Sequence, residues 1–240
     1  MRPAGATTRK MASELRRRDL MDAGERILVR KGIAATTVDD VTRAAGVAKG
    51  TFYLYFPSKE DLVAALRQRF TENCRRRIET LAARLPAADW AGRLDAWVEG
   101  GIRHYLDHMD LHDVVFHQGH AGEERHASMA DSPLVSQLAE LIRAGAAAGA
   151  WRVESPELVS LFLFYALHGI VDHVTSGSSE RGRANHKALI RISQNIVRQT
   201  MGLSPVAADS GSLPGAKKKT PTQSSERVHR GRREDEETGT

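Results

Sequence analysis

The run Thr36-Thr37-Val38-Asp39-Asp40-Val41-Thr42-Arg43-Ala44-Ala45-Gly46-Val47-Ala48-Lys49-Gly50-Thr51-Phe52-Tyr53-Leu54-Tyr55-Phe56-Pro57 constrains this chain more than any other stretch. Thr37, followed three residues later by Asp40, supplies both ends of a capping box, so a helix starts at Val38. Val38, Val41 and Ala45 then recur at i, i+3 and i+7 and give that helix one apolar face. Gly46 is the residue type that closes a helix in the left-handed conformation. A second helix is expected from about Ala48 to Phe56, stopped by Pro57, which has no N–H and crowds the residue before it. Two short helices around a tight turn make a helix-turn-helix, whose second helix enters the major groove of DNA.

That second helix carries an unusual surface. Phe52 and Phe56 lie four apart and share a face suited to packing on the preceding helices. Gly50, Thr51 and Leu54 fall on the opposite side, with Lys49 and Tyr53 on one flank and Tyr55 on the other. Gly50 lets backbone approach a groove closely. Thr51 and Tyr53 bring hydroxyls to base edges or phosphates, Lys49 brings charge, and Leu54 suits a thymine methyl. A plain amphipathic helix accounts for Phe52 and Phe56 but not for two hydroxyl-bearing aromatics, a lysine and a glycine beside them.

The segment Gly46-Val47-Ala48-Lys49-Gly50-Thr51-Phe52-Tyr53-Leu54-Tyr55-Phe56-Pro57-Ser58-Lys59-Glu60-Asp61-Leu62 resembles the N-terminal signature of the TetR family of bacterial transcriptional regulators. The likeness extends upstream through Thr36–Val41, Arg30-Lys31-Gly32 and Ile27, from Leu15 to Leu66 in all. It implies a three-helix DNA-binding domain and a variable all-helical domain for ligand binding and dimerisation, with repression usually relieved by a small molecule. By the resemblance, Lys49, Gly50, Thr51 and Tyr53 sit where the family contacts operator bases and nearby backbone. Thr37, Tyr55 and Lys59 sit where it grips phosphates. The departure is Ala48, where a capping serine is common, so the second helix is expected to start less firmly.

Charge agrees with that division. Residues 1–60 hold 12 Lys+Arg against 7 Asp+Glu, whereas residues 61–240 hold 23 of each, so the whole excess of +5 lies with the helix-turn-helix. Neutralising the phosphate backbone supplies most sequence-independent affinity for DNA. One cysteine, Cys74, excludes an intrachain disulfide and fits a reducing cytoplasm. No apolar run of membrane-spanning length and no signal-peptide pattern stand out, so a cytoplasmic protein without a membrane partner is expected. Few aromatics, much Ala and Leu and no alternating segments favour an all-α fold.

Four regions are expected: a flexible basic arm over 1–13, the DNA-binding domain over 14–60, a helical ligand-binding and dimerisation domain over 61–202, and a disordered tail over 203–240. Ser13 caps a first helix over 14–31 in this reading. Arg16, Arg17 and Arg18 on that helix are either a solvated face or further phosphate contacts. A second capping box, Ser58 with Asp61, opens a long helix that runs towards Pro86 and links the two domains. Helices follow over 89–109, 111–118 and 132–149, with a loop over 119–131. Pro156 after Ser155 opens an apolar helix over 158–174, hydrophobic nearly all round and therefore buried on both sides. The last helix spans 183–200, and by the resemblance these last two helices meet their symmetry mates in a four-helix bundle. In the tail, Lys217-Lys218-Lys219 reads as solvated chain with weak DNA contact as the alternative.

Trp97, Tyr105, Met109, Phe116, Phe164 and His168 are the candidate lining of a pocket for a small, largely apolar ligand. All ten histidines lie beyond residue 100. His104 and His108 at i, i+4 have a spacing that holds metals, with His112, His117 and His120 following. No cysteine or His-Glu-x-x-His pattern accompanies them, so no metal is assigned and a metal-responsive regulator stands as the alternative. Cys74 reads as a buried apolar residue, with Arg75, Arg76 and Arg77 leaving a redox-responsive regulator open. An all-α enzyme is the remaining class, but no phosphate-binding glycine loop, nucleophile elbow or paired carboxylates beside a nucleophile occur. An architectural DNA binder would not need so much apolar helix behind the reader. The expectation is a homodimeric regulator on a palindromic double-stranded operator, without cofactor and not an enzyme. The sequence leaves open the ligand, the operator and whether repression or activation results.

Overall fold

The computed structural model describes residues 4–118, 132–176 and 186–206. Every regular element among them is helical. Helix α1 (Ala4–Ala35) breaks at Gly32, whose φ of 77° and ψ of 167° lie outside the helical region. The expected arm and the cap at Ser13 are corrected here: residues 4–13 continue the helix, and Ser13 lies in its interior. No proline interrupts the stretch between Pro3 and Gly32, which is rich in Ala, Arg, Leu, Met and Glu, and Lys10 reaches Glu14 across one turn at 4.0 Å, so local propensity extends the helix.

Helix α2 (Val38–Ala45) begins with the predicted box. The Asp40 N–H donates to Thr37 Oγ1 at 3.2 Å and the Thr37 N–H to Asp40 Oδ2 at 3.1 Å. Gly46 closes it at φ 67°, and the Val47 N–H reaches the Thr42 carbonyl at 3.0 Å. Helix α3 (Lys49–Tyr53) starts at Ala48 without a side-chain cap, as the missing serine implies. It stops three residues before the expected end at Phe56. The Phe52 carbonyl accepts from both the Tyr55 and the Phe56 N–H at 2.9 Å, and that tight turn leads the chain out before Pro57. Helix α4 (Lys59–Ala82) opens on Ser58, whose Oγ accepts from the Asp61 N–H at 3.1 Å.

Helix α4 serves two cores. Its first half gives Leu62, Leu66 and Phe70 to a cluster with Leu20, Leu28, Val41, Phe52 and Phe56. Its second half gives Cys74 and Ile78 to a larger cluster built from α5 (Trp90–Asp107), α7 (Pro133–Ala147), α8 (Pro156–Ser176) and α9 (His186–Thr200). Asp89 caps α5 through the Gly92 N–H at 2.8 Å. A Cβ added at Gly100 would lie 3.2 Å from the Ile78 Cα, so α4 and α5 cross with backbones nearly touching. Arg198 on α9 grips both carboxylate oxygens of Asp95 on α5 at 2.5–3.0 Å, a bidentate pair that is four-fifths shielded from solvent.

The expected helix over 111–118 takes a different form. Short α6 (Met109–His112) passes into a π turn, Asp113–His117, and from there Leu111, Val114 and Val115 pack into the N-terminal core. The apolar helix α8 buries one of its two expected sides within the subunit. Leu163, Leu167 and Val171 are buried, but Leu158 and Phe162 are 68% and 65% exposed, so one flank has no cover among the described residues. Within residues 156–175 an 18-residue window reaches a mean hydropathy of 1.5, which by length and composition suffices to cross a membrane, a test that core helices of soluble proteins also pass. That corrects the expectation that no stretch does so: His168, Asp172 and His173 interrupt any continuous apolar run while leaving the average high. The expected loop over 119–131, the start of the last helix at 183, and the tail from 207 onward lie outside the described residues.

Candidate nucleic-acid interface and effector cavity

The outward face of α3 is built by contrast with its inward face. Phe52 and Phe56 are 0% and 2% exposed, packed in the N-terminal core with ring centroids 5.6 Å apart. On the other side Tyr53 is half exposed and Leu54 is 80% exposed. A Cβ at Gly50 would meet nothing within 4 Å, so the fold itself does not require a glycine there. Lys49 Nζ lies 3.0 Å from Asp39 Oδ1, and that contact raises the lysine pKa. Both partners are solvent-exposed, so the pair is weak and a phosphate competes for the lysine readily. Lys49, Gly50, Tyr53 and Leu54 thus form one accessible surface, with Thr51 half-buried beside it.

The three residues assigned to phosphates are already engaged in the fold. Thr37 Oγ1 donates to Asp40 Oδ2 at 2.9 Å within the capping box. The hydrogen bond from Lys31, then those from Thr37, hold the Asp40 carboxyl down at about 2. Tyr55 is half-buried against the N-terminal core. Lys59 Nζ donates to the carbonyls of Ile33 at 2.8 Å and Thr36 at 3.1 Å, tying α4 to the end of α1. Of the arginine triplet, Arg17 turns inward over the Phe56 ring at 5.2 Å, while Arg16 and Arg18 pair along the helix with Asp19 and Asp22.

Behind the reader, a cavity of about 1140 Å³ lies among α4, α5, α6, α7 and α8 and continues into the groove between α1 and α4. Trp97, Tyr105, Phe116, Phe164 and His168 line it. Met109 does not: it packs, half-buried, against the C-terminal core. The wall is aromatic among α4, α5, α6 and α8, whereas Arg17, Asp22, Glu25, Arg67, Arg69 and Glu72 line its extension between α1 and α4. Burial pushes His104 down to about 4, with His108 adding to the effect, and pushes His112 down to about 2. Burial raises Tyr105, whose hydroxyl donates to Asp172 Oδ1 at 3.2 Å. The Trp97 indole N–H and His104 Nε2 are buried in this wall with no hydrogen-bond partner among the described residues. Cys74 also lines the cavity, but burial lifts its thiol to about 12 against the opposing pull of Arg77. Arg75 and Arg76 are occupied by Glu72. The thiol is therefore kept protonated, which removes the basis of the redox alternative.

His104 and His108, paired by their spacing, stack with centroids 4.5 Å apart, and His108 Nδ1 lies 3.0 Å from the His104 carbonyl oxygen. The structure instead gathers His112, His117 and His168, a trio that sequence spacing does not reveal because a regular helix points residues five apart in different directions. Gln118 is a second residue the sequence reading missed. Its Oε1 accepts from the Ile33 N–H at 3.3 Å, and Arg67 Nε donates to the Val115 carbonyl. The segment that forms part of the cavity wall is thus bonded directly to α1 and α4 of the reading head.

Residues 20–66 match the sequence profile described as bacterial regulatory proteins, tetR family. The HTH-type transcriptional regulator EthR of Mycobacterium tuberculosis is 28% identical over 129 residues, 54% of this chain and 58% of EthR. The matched stretch therefore spans little more than half the length of that relative. The HTH-type transcriptional repressor KstR2 of Rhodococcus jostii is 35% identical over 71 residues, 30% of this chain and 33% of KstR2. Among solved structures, the fatty acid degradation regulator FadR from Bacillus halodurans superimposes with a TM-score of 0.61 at 21% identity, over 76% of this chain and 96% of FadR.

Proposed function

We infer, for a chain that belongs to the TetR family through its residues 20–66, that it is a dimeric transcriptional repressor released from a palindromic operator by a small, largely apolar molecule. The observation that carries this reading is the outward face of α3, where Tyr53, Leu54 and Gly50 are presented to solvent on a helix anchored by Phe52 and Phe56. Lys49, Gly50, Thr51 and Tyr53 read bases and adjacent backbone, while Thr37, Tyr55 and Lys59 steady the phosphates. The reading head comprises residues 14–60, and residues 61–202 form the regulatory and dimerisation domain, with α4 shared between them. Two heads enter successive major grooves about 34–36 Å apart.

The effector occupies the cavity against Trp97, Tyr105, Phe116, Phe164 and His168. Filling it displaces α6 and the π turn, which carry the displacement to α1 through Gln118 and to α4 through Arg67. Such coupling requires the effector to bind the two arrangements of the π turn unequally. The relatives reported above are transcriptional regulators, and the aromatic part of the cavity wall suits binding rather than turnover.

A gel-shift of the full chain on the DNA upstream of its own gene, beside a scrambled competitor at two salt concentrations, tests the reading. Selective retardation with two subunits per site is expected. Binding that is equally strong on the scrambled duplex would overturn the operator assignment.

A further inference from the structure

The π turn is wider than the chain needs merely to change direction, and π turns inside helical segments concentrate at functional sites. Its consequence here is local. With a five-residue step between them, His112 and His117 face the same volume, and His168 on α8 faces it from across the cavity. The ring centroids of His112 lie 5.1 Å from those of both His117 and His168. We propose that His112, His117 and His168 bind a divalent transition-metal ion of the Zn²⁺ type in the wall of the cavity.

Four observations support the site. One ring nitrogen from each histidine lies within 4.8 Å of the others. A tetrahedral ion with nitrogen ligands at about 2.0–2.1 Å asks for ligand separations only somewhat shorter, which small χ rotations supply. His112 is 3% exposed, and its Nδ1 is buried without a hydrogen-bond partner among the described residues, a position native structures rarely leave unfilled. Its ring is held by stacking on Phe116 at 4.8 Å and by Tyr105 at 4.2 Å, and its Nδ1 lies 3.7 Å from Asp113 Oδ1, so the imidazole is not free to turn away. Two carboxylates flank His117: Asp113 Oδ1 lies 3.6 Å from its Nδ1, and Asp172 Oδ1 lies 3.8 Å from its Nε2. Asp172 is itself held by the Tyr105 hydroxyl. Whichever ring nitrogen binds the ion, the carboxylate at the other orients the ring, an arrangement common around metal-bound imidazole, and the second carboxylate lies beside the ion.

The donor set defines the class of ion. Three imidazoles with nearby carboxylates and no thiolate suit Zn²⁺, Ni²⁺, Co²⁺ or Fe²⁺ rather than Cu⁺ or the all-oxygen ions. All three histidines line the cavity, so the remaining coordination position opens into it. An ion there clamps the π turn to α8, across the cavity the effector enters.

The test is metal uptake by the full chain, purified without a histidine tag, with Zn²⁺ titrated against a chromophoric chelator and Co²⁺ followed by its ligand-field absorption. One ion per subunit and a four-coordinate Co²⁺ spectrum are expected. His117→Gln and His168→Gln should each abolish stoichiometric uptake while leaving the metal-free melting temperature near that of the parent. Asp172→Asn should weaken binding by about 10–100-fold, and His108→Gln should leave it unchanged. No uptake in competition with the chelator, or equal uptake by the His168→Gln variant, would overturn the site. Because the readout involves no DNA, its failure leaves the repressor reading standing, and failure of that reading leaves the metal site standing.

Discussion

Gly50 allows folding and DNA binding to be separated at a single residue. It lies in α3 with open space where a Cβ would project, so Gly50→Ala removes chain entropy from the unfolded state at no steric cost. A stability gain of about 0.5–1 kcal/mol is expected, together with weaker operator binding as the added methyl holds the backbone off the groove. Thermal melts and gel-shifts on one preparation check both, and unchanged operator affinity would mean that no close backbone approach occurs there. Tyr53, half exposed on the same face, gives the complementary case. Tyr53→Ala should cost about 1–2 kcal/mol on the operator and little on scrambled DNA, with the salt slope preserved. Lys59 carries a contact within the fold beside its proposed phosphate contact. Its ammonium serves the Ile33 and Thr36 carbonyls, so Lys59→Ala should lower stability by about 1 kcal/mol as well as make the salt slope shallower by about one unit. A fall in melting temperature with an unaltered slope would assign this lysine to the fold alone. The sequence made Tyr53 and Gly50 legible because helical geometry fixes which side they face. It did not show that Lys59 is already bonded, since its partners lie 23 and 26 residues away.

At the scale of elements, what could be read in advance was what local chemistry decides. The Thr37 and Ser58 caps, the Gly46 stop and the Asp89 start all depend on residues within one turn of each other, and all are present. The early start of α1 and the π turn escaped notice for opposite reasons. In α1, propensity overrode a compositional impression of disorder. In the π turn, packing of Leu111, Val114 and Val115 into the far core imposed a register that no hydrophobic period announces. For the proposed site, spacing pairs His104 with His108, whereas the π turn gathers His112 and His117 with His168, and Asp172 and Gln118 drew no attention. The buried imidazoles also make stability depend on pH. His104 and His112 have folded pKa values of about 4 and about 2, against an ordinary value of 6.5, because burial disfavours their charged forms. The unfolded chain therefore binds more protons below pH 6.5, and stability falls as pH drops from there towards 4, while above 6.5 neither group contributes. Each fully developed deficit is worth up to about 1.4 kcal/mol per pH unit. Urea midpoints at pH 7 and pH 5 measure the fall, which should be smaller in His104→Gln. An identical pH dependence in that variant would show that His104 is charged in the folded protein.

For the whole molecule, the open question is what covers the outer flank of α8. Leu158, Phe162 and Ile170 are 68%, 65% and 36% exposed along one side of that helix, and Ile196 on α9 is 42% exposed. Large apolar side chains exposed along one side of a helix mark an association surface rather than ordinary surface scatter. A second copy of the chain meets the requirement with a self-complementary contact, and it also places two reading heads on one duplex. The charge distribution then acquires a purpose, since the net positive charge of the first 60 residues is doubled on the DNA side of the dimer. Phe162→Glu puts a carboxylate into that contact without touching α3 or the cavity. Sedimentation should show a monomer with unchanged helicity, because Phe162 contributes little to either core. Operator affinity should drop by orders of magnitude, and the slope of log affinity against log salt should fall to about half, as one head neutralises half the phosphates. A variant that remains dimeric would place the interface on another surface. A monomer that kept the full salt slope would show that a single head already makes every phosphate contact.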